Sequence, residues 1–269
     1  MAVIALVSAQ GAPGVTTAAL GLALAWHRPT VLVEADPAGS GAIQAGYFRG
    51  ALLPSRGTLL DLSVQDVSTL AEHLPRTVGR IPDTTVDLLP GVRTHSQAPS
   101  LTSLWEPLAV VLGDLEQNGQ DVLVDAGRLG MAHPPTKLLE RADLTLLVTR
   151  STLPALVAAK PWLAETHLGL GLGLGLAGPG VSTGLLIIGP GQPYSAREVG
   201  RSLGSPVIAT LAWDPVSAEV FSLGTQPNRR RFDGAALPKS LRAAASAIAT
   251  VIDRNRASHA PASVVEEKV

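Results

Sequence analysis

The chain has 269 residues, 46% of them apolar, 3% aromatic and 16% charged, with a formal net charge of −1 and no cysteine. This composition describes a core of Ala, Val, Leu and Ile, as in buried parallel strands covered by helices, and it excludes a chain disordered over most of its length. Balanced charge leaves no global field to attract nucleic acid or anionic lipid, and the lack of cysteine removes disulfides, thiolate metal sites and cysteine nucleophiles, which fits a reducing cytoplasm.

Along the chain, short apolar runs alternate with longer helical ones. The first predicted strand, Val3–Val7, leads through "SAQGAPGV" into a predicted helix, Thr16–Trp26. Strands follow at Thr30–Glu34 and Val86–Leu89, with the coil around Pro75–Thr84 expected to be a mobile insertion. A helix is predicted over Ser100–Gln117, then strands at Asp121–Asp125 and Leu144–Val148, then a helix over Pro154–Thr166. The Gly/Leu segment 168–180 reads as a second mobile insertion, because Gly at every second position from Gly169 to Gly175 makes a poor membrane-spanning helix. Strands Leu185–Ile188 and Val207–Leu211 and helices Ser195–Leu203 and Pro238–Asn255 complete the pattern. This rhythm predicts an α/β fold: a doubly wound, mostly parallel sheet with helices on both faces, in one domain over 1–256. Residues 257–269 lack amphipathic periodicity and are expected to form a disordered tail. The start, "MAVIALVSAQGAPG", has no basic residue and is broken by Gly11, Pro13 and Gly14, so no secretory signal or transmembrane segment is expected.

The stretch after the first strand stands where a phosphate-binding loop belongs. Such a loop reads G-x-x-x-x-G-K-[ST] between strand and helix, because backbone N–H groups and the helix N-terminus hold phosphate while Lys and Ser/Thr handle the γ-phosphate and Mg²⁺. Here Ala9 replaces the first Gly, Gly14 is the second, Val15 replaces the Lys, and Thr16 keeps the hydroxyl. Two further strands end in acidic groups: "VLVEADPAG" (31–39) in Glu34 and Asp36, and "DVLVDAG" (121–127) in Asp125. Strand ends of this kind converge on one crevice in open α/β sheets. The alternative is an ordinary Gly/Pro turn, with Asp36 and Asp125 as strand-end residues that cap turns or helices and Glu34 as a structural residue. His27, His73, His95, His133, His167 and His259 are scattered without ligand spacing, so no histidine metal site is expected. Trp105, Trp162 and Trp213 are expected to pack helices and strand ends.

Over roughly residues 1–255 the sequence resembles the ParA/MinD family of deviant-Walker ATPases, whose loop reads K-G-G-x-G-K-[ST]-T and whose next strand ends in D-x-D-P-x-G. The resemblance rests on "GAPGVTTAALGLALAW", "EADPAG", "DLLPG" (87–91), "DVLVDAG", "LTLLVTRSTLPAL" (144–156) and "SPVIATLAWDP" (205–215), in that order. It implies that Gly11, Gly14, Val15, Thr16 and Thr17 face the phosphates of ATP or ADP. By the same resemblance Thr16 and Asp125 serve Mg²⁺ when nucleotide binds, and Asp36 is the vestige of the water-orienting aspartate. The departures are as specific as the matches. Gln10 and Val15 occupy both lysine positions of the family, Pro13 removes one candidate N–H from the cradle, and Gly189 stands where the family tends to have an adenine-reading Asn.

The resemblance therefore implies a degenerate relative: a weak or absent nucleotide binder acting as a scaffold or positioning factor for a bacterial machine in pilus or secretion assembly, division or chromosome positioning. A homodimer, a protein partner from such a system and a cytoplasmic location, with recruitment to the membrane by that partner, go with it. The rival expectation is a working Mg-ATPase that draws its phosphate-binding charge from Arg128 or Arg150. "NRRRF" (228–232) offers Arg229, Arg230 and Arg231 as a small basic patch for DNA, against the plainer reading of a solvated loop.

Overall fold

The computed structural model describes residues 2–259 apart from Ala12, Ser40 and residues 169–181. Residues 169–180 of the Gly/Leu segment and residues 260–269 of the expected tail thus lie outside the described residues.

β1 (Val3–Ser8) is followed by α1 (Val15–Ala25) and β2 (Thr30–Glu34). Next come α2 (Ala42–Ala45), α3 (Leu59–Ser63), α4 (Leu70–Thr77), β3 (Gly79–Arg80) and β4 (Val86–Leu89). The middle of the chain supplies α5 (Trp105–Asp114), β5 (Asp121–Arg128), α6 (Thr136–Glu140), β6 (Leu144–Arg150) and α7 (Leu153–Leu168). The last part forms β7 (Ser182–Ile188), α8 (Ala196–Leu203), β8 (Val207–Leu211), α9 (Pro215–Ser222), α10 (Arg229–Asp233) and α11 (Ala236–His259).

The strands form one sheet in the order β3-β4-β2-β5-β1-β6-β7-β8, parallel throughout except for the β3–β4 pair. Alternation along the inner strands divides the apolar side chains between two cores. Ala5, Val7, Val31, Val33, Val122 and Val124 face one, which is completed by helices that include α5 through Trp105 and Leu108. Ile4, Leu6, Leu32, Leu123 and Leu146 face the other, closed by α1, α9 and α11. Two-sided burial explains why these strands read as continuous apolar runs. α1 and α11 approach closely because Gly21 has no side chain: a Cβ there would fall 2.8 Å from Leu241 Cδ1.

Three expectations change. The stretch around Pro75–Thr84 is part of the fold: α4 runs to Thr77, and Gly79 and Arg80 pair with Leu88 and Asp87. The single helix expected over Ser100–Gln117 shrinks to α5 between 3-10 stretches at His95–Leu101 and Leu115–Asn118. Thr94 and Gln97 do form a capping box, but Pro99 disfavours an α-helical residue before it, so the capped turn is 3-10. Finally, α11 continues through residues 257–259, past the expected start of the tail. The Arg256 guanidinium donates to Asp143 at 2.8 Å, which ties the end of that helix to the N-terminal edge of the sheet.

Candidate functional site

The candidate crevice lies at the C-terminal ends of β1, β2 and β5. Glu34 and Asp125 are register partners on adjacent parallel strands, so their side chains leave the sheet at the same level on the same face. Between β1 and β5 the register shifts, pairing Leu6 with Asp125 but Ser8 with Arg128. Gly127 absorbs the extra residue with φ +65°. The Ser8 hydroxyl donates to the Gln10 carbonyl at 2.9 Å, which holds the start of the loop.

The turn from the loop into α1 is well defined at its described residues. Gly14 is left-handed (φ 102°), a conformation that glycine adopts without strain, and turns the chain into α1. Its carbonyl accepts the first helical bond, from Ala18 N–H at 2.8 Å. No side chain caps the helix, so the N–H groups of Val15, Thr16 and Thr17 are the unpaired donors of its first turn. They border a cleft of about 360 Å³ whose lining also includes Gly11, Pro13, Asp36, Gly127, Arg128 and Met131. The backbone and dipole of a phosphate cradle are therefore present.

The charges differ. Val15, at a lysine position of the family pattern, is 6% exposed and belongs to the core beneath the loop. Around the cleft the charges are mostly negative. Asp125 is 2% exposed, and burial pushes its carboxyl up to about 6; bonds from the Thr16 hydroxyl and from Gly127 N–H (3.1 Å) oppose the shift, and the Asp36 charge adds to it. Burial, then the facing Asp125, raises Glu34 to about 7, with Asp36 adding less; backbone bonds at Ile43 and Gly91 pull the other way. Asp36 accepts from Ala38 N–H at 2.8 Å, and its carboxylate lies against Gly127, where any Cβ would overlap it. Thr16 and Asp125 thus already engage each other, while Arg128 is the cation lining the cleft among the described residues, its Nη2 3.1 Å from Met131 Sδ.

The loop residues Gly11, Gly14, Val15, Thr16 and Thr17 and Asp36 line one cleft, and Asp125 closes on Thr16 behind it. Arg150 does not line it: its guanidinium stacks 3.8 Å from the centroid of the Trp213 ring. Trp213, expected to pack helices or strand ends, lies just past the end of the edge strand β8 and is 43% exposed under that cation. Gly189 lies beside it; a Cβ there would be 3.1 Å from Trp213 Cβ. Arg229, Arg230 and Arg231 are exposed on α10, whose N-cap is Asn228. Ser8 opens the stretch read as the loop, but sequence reasoning did not place Met131 here. Its signal, the extension of β5 beyond Asp125, was too local to read without the strand register. Among the described residues no helix is long and apolar enough to cross a membrane, and no group of three His, Cys, Asp or Glu could hold a metal ion.

No protein-family model matches the sequence, and no curated protein matches it. Solved structures do match. A ParA family ATPase from Chlorobium tepidum is 17% identical, with 91% of this chain and 97% of that one covered and a TM-score of 0.69. The cell division ATPase MinD of Pyrococcus furiosus is 18% identical over 93% of this chain and 99% of its own, with a TM-score of 0.67. The septum site-determining protein MinD of Pyrococcus horikoshii, solved with Mg-ADP, gives 17% identity, coverages of 94% and 98%, and a TM-score of 0.63. The fold is that of the ParA/MinD-like P-loop ATPases.

Proposed function

We propose that this chain is a single-domain positioning or scaffold protein, built on the ParA/MinD-like fold, whose nucleotide crevice has lost the charge that triphosphate hydrolysis needs. The observation that carries the reading is Val15, buried in the core where the family pattern has its Walker lysine, at a cleft that Asp36 also lines. A charge-assisted hydrogen bond contributes about 1.5–3 kcal/mol, so the missing lysines at 10 and 15 weaken triphosphate binding by roughly 10²- to 10⁴-fold. Hydrolysis loses more, since charge on the transferred phosphoryl group has fewer donors to meet it. The backbone cradle at Gly14–Thr17 still favours an anion, so weak binding of ADP or ATP with Mg²⁺ through Thr16 and Asp125 belongs to the same reading.

What such a protein does is hold a partner. We read it as a homodimer in the cytoplasm that serves a protein of a pilus, secretion, division or chromosome-positioning system and is drawn to the membrane by that partner. Nonspecific DNA contact through Arg229, Arg230 and Arg231 is the smaller part of the reading. Arg128 supports a second one, a divergent but working Mg-ATPase, because it is the cation that lines the cleft. Calorimetry with ATP and ADP, with and without Mg²⁺, together with a phosphate-release assay, separates the two. Weak or no binding without turnover supports the scaffold; tight binding with turnover that Arg128→Ala removes supports the ATPase.

A further inference from the structure

A second cleft, of about 470 Å³, opens at the opposite edge of the sheet, where β2, β4 and β5 begin. This is the region that composition suggested was mobile coil. It is instead clamped. The N–H groups of Arg56 and Gly57 donate to the Thr77 carbonyl at 3.0 and 3.2 Å, at the C-terminal end of α4. A Cβ at Gly79 would overlap the backbone of Pro54 and Ser55, so only glycine lets β3 lie against that segment.

The walls are apolar on one side, from Val31, Leu74, Pro75, Val78 and Leu115. The other side is polar and ordered. Arg80 Nε donates to Asp87 Oδ1 at 2.6 Å and its Nη2 to Oδ2 at 3.0 Å, a bidentate pair, and Gln120 Nε2 reaches the same Oδ2 at 3.3 Å. Asp87 is 9% exposed and its charge is met by Arg80. Arg56 has no such partner among the described residues, although its backbone is fixed and its side chain lines the cleft. Among the described residues the cleft therefore carries one cation without an ion pair, Arg56, beside the amides of Asn118 and Gln120 and facing an apolar wall.

The geometry points to a binding site for a small amphipathic carboxylate. Its head would lie on the Arg56 guanidinium, whose planar fork matches a carboxylate in a way an ammonium does not. Its short hydrocarbon body would lie on Leu74, Pro75 and Val78. The volume falls in the range of small-molecule sites, and polar groups gathered at one wall would fix the orientation of a ligand whose body lies on the other. A dianion is disfavoured, because Arg80 is already committed to Asp87. This site shares no residue with the crevice at Gly14–Thr17, so the inference is independent of the nucleotide reading.

Hexanoate, with hexanamide as its neutral counterpart, is the probe. Titrated into the ¹⁵N-labelled full chain, hexanoate is expected to shift the amides of Arg56, Gly57, Val78 and Gly79 saturably, and hexanamide to bind at least about ten-fold more weakly, as expected when one charge-assisted hydrogen bond is lost. Arg56→Gln should weaken hexanoate by a similar factor and leave hexanamide unchanged, while Arg56→Lys, which keeps the charge but not the fork, should fall between Arg56→Gln and the parent. Arg56 is exposed, so these variants should melt with the parent chain. Equal binding of acid and amide, an Arg56→Gln variant that binds hexanoate as well as the parent, no saturable shift, or shifts confined to Gly14–Thr17 would each overturn the proposal.

Discussion

Glu34 and Asp125 stand opposite each other on neighbouring parallel strands, two carboxyls in register with no lysine between them, raised to about 7 and about 6. In the folded chain they keep protons that their unfolded counterparts release near pH 4. The folded state therefore binds more protons than the unfolded one between about pH 4 and pH 7, and stability falls as pH rises through that window. At about 1.4 kcal/mol per unit, the loss for the coupled pair is on the order of a few kcal/mol and is complete about a pH unit above 7. Urea midpoints measured from pH 4.5 to 8 should fall accordingly. Glu34→Gln should flatten the profile and be more stable than the parent at pH 8; a variant that tracks the parent at every pH would refute this account.

Asp36 and Gly127 give a second test. Gly127→Ala places a methyl group on the Asp36 carboxylate and an L side chain at φ +65°. The left-handed backbone alone costs about 1–2 kcal/mol, and the overlap adds to it. In an Asp36→Ala background the overlap disappears and only the backbone cost remains. A double-mutant cycle by chemical denaturation should then show positive coupling of the two sites; additive effects would mean that Asp36 moves aside freely.

Restoring the family charges probes how far the crevice has diverged. Gln10→Lys, Pro13→Val and Val15→Lys together should recover measurable Mg·ADP and Mg·ATP binding by calorimetry, with binding returning more readily than turnover. Because Val15 is buried in the core, Val15→Lys alone should lower the melting temperature, and ADP should raise it again in the triple variant. Adding Asp36→Ala should spare the regained binding and abolish any regained hydrolysis. A folded triple variant that binds neither nucleotide would show that the loss extends beyond the loop.

Self-association should not depend on nucleotide. Sedimentation velocity is expected to give a dimer with and without Mg·ATP, and Leu153, Val157 and Val216, exposed near the ends of β6 and β8, are apolar positions where a Glu should weaken it. A monomer at high concentration under both conditions would remove the dimer from the reading.

At the other edge of the sheet, Asp121 accepts from Ala2 N–H at 2.7 Å and from Trp26 Nε1 at 2.8 Å while 3% exposed. Asp121→Ala leaves two buried donors without an acceptor, at about 1–3 kcal/mol each. The loss should appear in the urea midpoint, and Asp121→Asn should recover part of it.

The sequence by itself determined the layout. Thr30–Glu34, Val86–Leu89 and Val207–Leu211 could be read to the residue because each is a short run rich in apolar and β-branched residues bounded by proline or turn residues. Gly14 was legible for a local reason too: the turn from strand into helix needs a left-handed residue there. What tertiary structure decided is whatever depends on register and on what lies across the sheet. The two-residue β3 carries no periodicity, and its pairing exists only because β4 offers an edge. The pairing of Glu34 with Asp125 follows from how β2 slides against β5, and their raised carboxyls follow from burial that no short window of sequence encodes. Sequence alone left both Arg128 and Arg150 as sources of charge for the crevice. The register shift at Gly127 directs Arg128 toward the cleft, and the end of β8 at the sheet edge gives Arg150 the Trp213 ring, because strand register and edge position are properties of the assembled sheet.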